Sequence, residues 1–220
     1  MAGSLRAPAP GREAPRGTGR PRRFDADVER DLIMDAALKV IARTDYTDVP
    51  VSDVLAEAGL STRAFYRHFA TKDDLVLAMF RRDAEAVGGY LQAIVDSAPT
   101  CIAALDAWVD GVLDLYYEPR RAARVRMFTA VAVRRADGYD EELVLSKGLL
   151  RRSLVDALER GTDSGVLTSD DPANDAETIL AVTSAAAGPP AERRFSTRTE
   201  ARSHIVRFCW PALGLKGPPS

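Results

Sequence analysis

Ser61, Thr62, Arg63, Tyr66, Arg67, His68 and Lys72 put seven hydrogen-bonding side chains into one stretch of twelve residues. The chemistry of that set is non-covalent. A guanidinium such as Arg63 can bridge the O6 and N7 of a guanine, Thr62 can touch a thymine methyl or a phosphate, and hydroxyl and ammonium groups can hold phosphate oxygens. His68 has no second ligand nearby, so the stretch implies no metal. Carried on a short exposed helix, these groups suit the major groove of double-stranded DNA.

That helix needs a frame, and the flanking residues predict one. Gly59 can take the left-handed conformation that ends a helix running from about Val51 to Ala58. Ser61 is a natural N-cap for the next helix, which reaches about Phe69 and turns Phe65 and Phe69 into the core. Upstream, Val28, Leu32, Ala36, Val40 and Ile41 form an apolar stripe at helical spacing from Asp27 to about Thr44, the first helix of a three-helix unit. Downstream, Thr71 and Asp74 form an acidic capping box for a long fourth helix with Leu75, Met79, Val87, Leu91 and Ile94 on its inner face. Gly88-Gly89 lies inside that helix and marks a bend or a close helix approach.

Ala58-Gly59-Leu60-Ser61, then Phe65-Tyr66-Arg67-His68-Phe69, then Thr71-Lys72-Asp73-Asp74-Leu75 resembles the helix-turn-helix of the TetR family of bacterial transcriptional regulators. The motif covers about the first third of the chain. The resemblance implies a phosphate contact for the Tyr66 hydroxyl, phosphate or base contacts supported by His68, and a phosphate at Lys72, where the ammonium and the helix N-terminus both favour an anion. The alternatives are a Tyr66 ring packed on the first helix and a half-buried His68 wedged between helices. Ser61 caps its helix with or without a phosphate, and Arg67 completes the exposed set. Two positions depart from the family pattern. Pro50 replaces a threonine that caps the second helix and touches phosphate, which leaves that contact to Ser52, and Leu55 fills an alanine slot where the helices cross. Arg22 and Arg23, with Arg20, precede the first helix as a flexible arm for a neighbouring minor groove or as an ordinary basic tail.

Composition narrows the class. The 220 residues are 46% hydrophobic with a formal net charge of -2, so any DNA binding comes from a local patch, not from overall charge. Residues 1–24 carry a net +5 and residues 60–82 a net +3, while Asp25, Asp27, Glu29, Asp31 and Asp35 cancel much of this along the first helix. No apolar run approaches the roughly 18 to 20 residues of a membrane span, and the first residues lack a secretory apolar core, so a cytoplasmic protein without membrane contact is expected. Cys101 and Cys209 read as buried free thiols. No phosphate-cradling Gly-rich loop, Gly-x-Ser-x-Gly or His-Glu-x-x-His occurs, and the only histidines are His68 and His204. These absences predict no enzyme and no cofactor. A cryptic helical enzyme and a helical protein-interaction module without DNA binding are the competing classes.

The expected fold is all-α. Residues 1–24 form a disordered Arg/Pro-rich arm, 25–70 the helix-turn-helix domain, 71–214 a larger helical ligand-binding and dimerisation domain, and 215–220 a tail. Helices are expected over about 100–117, 120–135, 140–160, 172–187 and 197–213, and the polar segment from Gly161 to Asp171 has no assigned role. The resemblance implies a homodimer on a pseudo-palindromic operator, released by a small-molecule effector, with repression as the family default. It places Trp108, Val112, Tyr116, Met127, Phe128 and Val131 on cavity-lining helices, where they suit an apolar or aromatic compound with a polar handle, or are plain core. Ile179, Val182, Thr183 and Ala186 on one helix and Ile205, Phe208, Cys209 and Leu213 on the last would face a partner, the alternative being a monomer's interior.

Overall fold

The computed structural model describes residues 25–43, 50–130, 133–188 and 194–215. Among them there are α-helices, one 3-10 turn at Val133–Arg135 and no strand. The α-helices are α1 (Ala26–Arg43), α2 (Val51–Ala58), α3 (Thr62–His68), α4 (Lys72–Asp96), α5 (Cys101–Tyr117), α6 (Pro119–Thr129), α7 (Tyr139–Asp163), α8 (Pro172–Ala187) and α9 (Arg198–Ala212). The arm with Arg22 and Arg23, the cavity candidate Val131 and the tail from residue 216 lie outside the described residues.

Local chemistry sets the helix ends. Gly59 has φ +65° and its N–H closes on the Ala56 carbonyl, so α2 stops there and the chain turns into α3. The Ser61 hydroxyl accepts from the Ala64 N–H at 3.3 Å, and Thr71 with Asp74 forms the reciprocal capping box of α4, at 3.1 and 2.8 Å. Pro50 precedes α2 without a side-chain cap, as its lost hydroxyl requires. A second capping box, Thr197 with Glu200, opens α9.

Two apolar clusters hold the chain together. One joins α1, α2 and α3 through Ile33, Met34, Val54, Phe65 and Phe69, and extends to Leu75 and Met79 on α4 and to Met127 and Phe128 on α6. The other packs Leu91 and Val95 of α4 against α5, α7, α8 and α9 around the fully buried Trp108. α4 therefore contributes its first half to one cluster and its second half to the other. Gly88 allows α4 to approach α7 closely, since a Cβ there would lie 3.1 Å from the Leu149 Cβ, while Gly89 meets nothing within 4 Å.

Ion pairs fasten the outside of both units. Glu57 on α2 receives Arg43, at 2.9 Å, and Lys39, at 3.5 Å, from α1. On α5, Asp106, Asp110 and Asp114 recur every fourth residue and interleave with Arg198 and Arg202 of α9 at 2.7 to 3.0 Å. Such half-exposed pairs contribute little individually, and their value is in setting the register of the two helices. The polar segment after Gly161 docks by burying Leu167 and by the Thr168 N–H donating to the Leu213 carbonyl at 3.0 Å.

Candidate DNA-reading helix and helical cavity

The short helix α3 divides cleanly by period. Ala64, Phe65 and the following Phe69 face inward, with the two phenyl rings 5.6 Å apart, while Thr62, Arg63, Tyr66 and Arg67 face solvent. Tyr66 is 61% exposed, and its ring meets Phe65 edge-on at 5.4 Å, so packing holds the base of the ring and leaves the hydroxyl outward. Arg63 has no ion-pair or hydrogen-bond partner among the described residues. Ser52, exposed on α2, donates to its neighbour Asp53 at 3.2 Å. Lys72 opens α4, four residues after α3 ends at His68.

Glu29 of α1 organises the far end of α3. It lies 2.7 Å from both the Arg67 guanidinium and the His68 Nε2, and the His68 side chain is only 7% exposed. His68 thus sits in the half-buried position between helices that the sequence left as an alternative, and Arg67 is partly neutralised. The acidic face of α1 has further work in the fold, because Arg82 of α4 reaches Asp35 at 2.7 Å and Asp31 at 3.5 Å. Arg81 is likewise bound, by both Nε and Nη2, to the buried Glu142 of α7, and that carboxylate holds its guanidinium pKa above the ordinary value. Of the cations counted at the sequence level, Arg63 is left to face outward unpaired among the described residues, and charge near α3 is more sharply focused than a net count suggests.

Helices α4 to α8 line a cavity of about 430 Å³ that is open to solvent. Phe80, Val87, Leu115, Phe128, Leu150 and Leu180 form its apolar walls, and Tyr116, Ser146 and Ser184 bring hydroxyl groups to it. Burial pushes the Tyr116 phenol above its ordinary pKa, partly offset by a hydrogen bond with Ser184. Charged groups line it too: Arg121 lies over the Tyr90 ring at 4.6 Å, Arg124 pairs with Asp83 at 2.9 Å, and Lys147 lines the same space. Burial raises the Asp83 carboxyl above its usual range against the opposing pull of Arg124.

Of the cavity residues named from sequence, Tyr116 and Phe128 are in the wall. Trp108 and Val112 are sealed in the core, where the Trp108 indole donates to the Leu150 carbonyl at 2.9 Å and ties α5 to α7. Met127 packs with α1 to α3 instead. Phe80, Asp83, Tyr90, Arg121, Arg124 and Lys147 were not singled out from sequence. The basic run on α6 was visible there, but its face toward α4 depends on packing.

The residues named for a partner divide in a similar way. Ile179, Thr183, Ile205, Cys209 and Leu213 are buried within the chain's own core, because α8 and α9 also pack on α5 and α7. Val182 and Ala186 border an open groove with Phe195, His204 and Phe208, and Phe208 is 62% exposed. The Phe195 and His204 rings are 4.8 Å apart and those of His204 and Phe208 6.5 Å. Both cysteines are free; Cys209 is buried, and its thiol is pushed up to about 11 by desolvation.

A capped turn, an exposed helix of hydrogen-bonding side chains and a larger helical body define an all-helical protein with an N-terminal helix-turn-helix. Residues 33–79 match the family described as bacterial regulatory proteins, tetR family. The helix-turn-helix segment of the chain is thus similar to that of the tetR family of bacterial regulatory proteins. The transcriptional regulator AcuR of Cereibacter sphaeroides is 29% identical over 153 residues, which cover 69% of this chain and 57% of AcuR. The chain thus spans less than two thirds of that relative's length. A TetR transcription regulator from Haloarcula marismortui shares the fold with a TM-score of 0.68 at 20% identity, over 85% of this chain and 98% of its own. FadR from Bacillus subtilis, solved in complex with stearoyl-CoA, does so with a TM-score of 0.62 at 17% identity, over 80% and 95%. These relatives are transcriptional regulators rather than enzymes. Among the described residues no helix is long and apolar enough to cross a membrane.

Proposed function

We propose that the chain is a dimeric, ligand-responsive repressor that places one α3 in the major groove of each half of a pseudo-palindromic operator and leaves it when a small molecule fills the cavity between α4 and α8. In this reading residues 25–70 read DNA and residues 71–214 bind effector and partner. Arg63 reads a base edge, Ser61, Thr62, Tyr66, Lys72 and Ser52 fix phosphates, and Arg67 and His68 act with Glu29 to hold the helix in place. The arm with Arg22 and Arg23 adds a minor-groove contact. The protein works in the cytoplasm, where its operator is.

The observation that carries the reading is the double membership of Phe128: its ring lines the cavity and also belongs to the apolar cluster under α1, α2 and α3. A ligand that moves this ring changes the support of the reading helix, which gives it different affinities for the two states. The acyl-CoA complex of the Bacillus FadR fold neighbour supports an effector in this kind of helical body. The exposed Phe208 beside the groove of α8 and α9 supports the two-fold partner, since closed dimers read paired half-sites. Selection of bound fragments from the source genome tests the proposal. It is expected to enrich a two-fold symmetric sequence, and enrichment of no such sequence overturns it.

A further inference from the structure

The lining of the cavity carries an excess of positive charge. Arg121, Arg124 and Lys147 line it against Asp83 as the one acidic lining residue, so cations exceed carboxylates by two. Beside them the lining is aromatic and aliphatic, led by Phe80 and Phe128, which stack with centroids 5.1 Å apart. A neutral apolar guest would satisfy the walls and leave the cations facing an emptied, less polar space. A cationic guest would be repelled.

We propose that the occupant of this cavity is an organic anion, with an apolar or aromatic body against Phe80 and Phe128 and a single oxyanion head held by Arg121 and Arg124. The inference rests on the effector reading above and names the ligand class for it. Arg121 is suited to the task because its guanidinium is held over the Tyr90 ring at 4.6 Å, a contact that consumes none of the N–H donors with which a guanidinium binds an oxyanion. Its other nearby charge is Glu118, whose carboxylate caps α6 by accepting from the Arg121 backbone N–H at 2.8 Å. Arg124 is now neutralised by Asp83 at 2.9 Å, and Arg82 also acts on that carboxylate. An entering oxyanion therefore competes with Asp83 for Arg124. Lys147, exposed and without an ion-pair partner among the described residues, adds field at the opening. The oxyanion is a carboxylate or a phosphate ester, both of which match the guanidinium fork.

The test is calorimetric titration of the full chain with four probes on one body: 4-phenylbutyrate, 4-phenylbutyl phosphate, 4-phenylbutanol and 4-phenylbutylamine. At least one of the two anions is expected to bind about tenfold or more tightly than the alcohol and the amine, and whichever is tighter identifies the head group. Arg121→Gln is expected to remove most of that preference. Asp83→Asn is expected to strengthen anion binding several-fold, an effect that general damage to the fold would not produce. Equal binding of the alcohol or amine, binding of none of the four, or weaker anion binding in Asp83→Asn overturns the proposal. Operator release is read separately. Release by the neutral alcohol as well as the anions would sink the anion assignment and keep the effector reading, whereas preferred anion binding without release would do the reverse.

Discussion

The Phe80 ring stacks on Phe128 at a centroid distance of 5.1 Å, with 25° between the planes, and so joins the middle of α4 to the end of α6. Phe80 also stacks on Tyr139 at 5.7 Å, at the start of α7. Three helices therefore meet at one aromatic cluster, with the cavity beside it and the apolar cluster of α1 to α3 sharing Phe128. These rings have few ways to shift without moving α6 or α4, since packed aromatic rings rearrange by discrete steps.

Phe128→Ala should expose this arrangement. Truncating a buried phenyl ring removes its burial and leaves a void, a loss of about 3 to 5 kcal/mol in denaturant unfolding. The variant should also separate ligand binding from operator release, retaining part of the first and losing most of the second. Equal loss of both would contradict a coupling role for the ring.

Ser61→Ala removes the hydroxyl that satisfies the Ala64 N–H, and N-cap losses of this kind cost about 1 kcal/mol. Because α3 is only 7 residues long, the effect should appear as faster hydrogen exchange at its first turn and weaker operator binding. Unchanged exchange there would show that tertiary packing alone holds the helix.

The difference between these two sites also shows what can be read from sequence. Gly59, Ser61, Thr71 and Asp74 act on neighbours within four residues, so their roles are legible in the order of the residues itself, as are the bounds of α2. Trp108 and Arg121 are different. Both lie on helices whose existence is clear from spacing, yet whether a side chain faces a cavity or the core depends on how α4, α5 and α7 rotate against one another. α8 and α9 carry apolar residues on more than one face, so spacing cannot separate those buried on α5 from those, like Phe208, left at the surface. His68 stays open between two roles at that level because its partner, Glu29, is 39 residues away in the chain.

Glu29→Gln tests that long-range contact. It removes a carboxylate from beside Arg67 and His68 and should strengthen binding to all DNA sequences alike, with a salt slope steeper by up to about 0.9 if one further phosphate is neutralised. The same change should lower folding stability, since α1 and α3 lose a shared anchor. A salt titration identical to that of the unmodified protein would show that Arg67 stays away from the backbone.

Cys209 provides a pH-dependent check on the core. Its thiol is held protonated up to about 11 in the folded chain, above an ordinary value of 9.0. The raised folded value means that its contribution to stability is complete below pH 9 and falls as pH rises from about 9 to 11, where the unfolded chain gains a thiolate first. At a pH of about 8 a thiol reagent should modify Cys101 and reach Cys209 only after unfolding. Rapid reaction of both thiols in the folded protein would contradict the packing of α9.

The most direct measurement of the central claim is a salt-dependent anisotropy titration of a selected operator and a scrambled duplex with the unmodified protein, Arg63→Ala and Lys72→Ala. Lys72→Ala should weaken both duplexes equally and reduce the salt slope by about 0.9, while Arg63→Ala should lose about 1 to 3 kcal/mol of discrimination at one base pair. Titrations of both variants that overlay the unmodified protein on both duplexes would contradict the assignment of α3 as the DNA-reading helix.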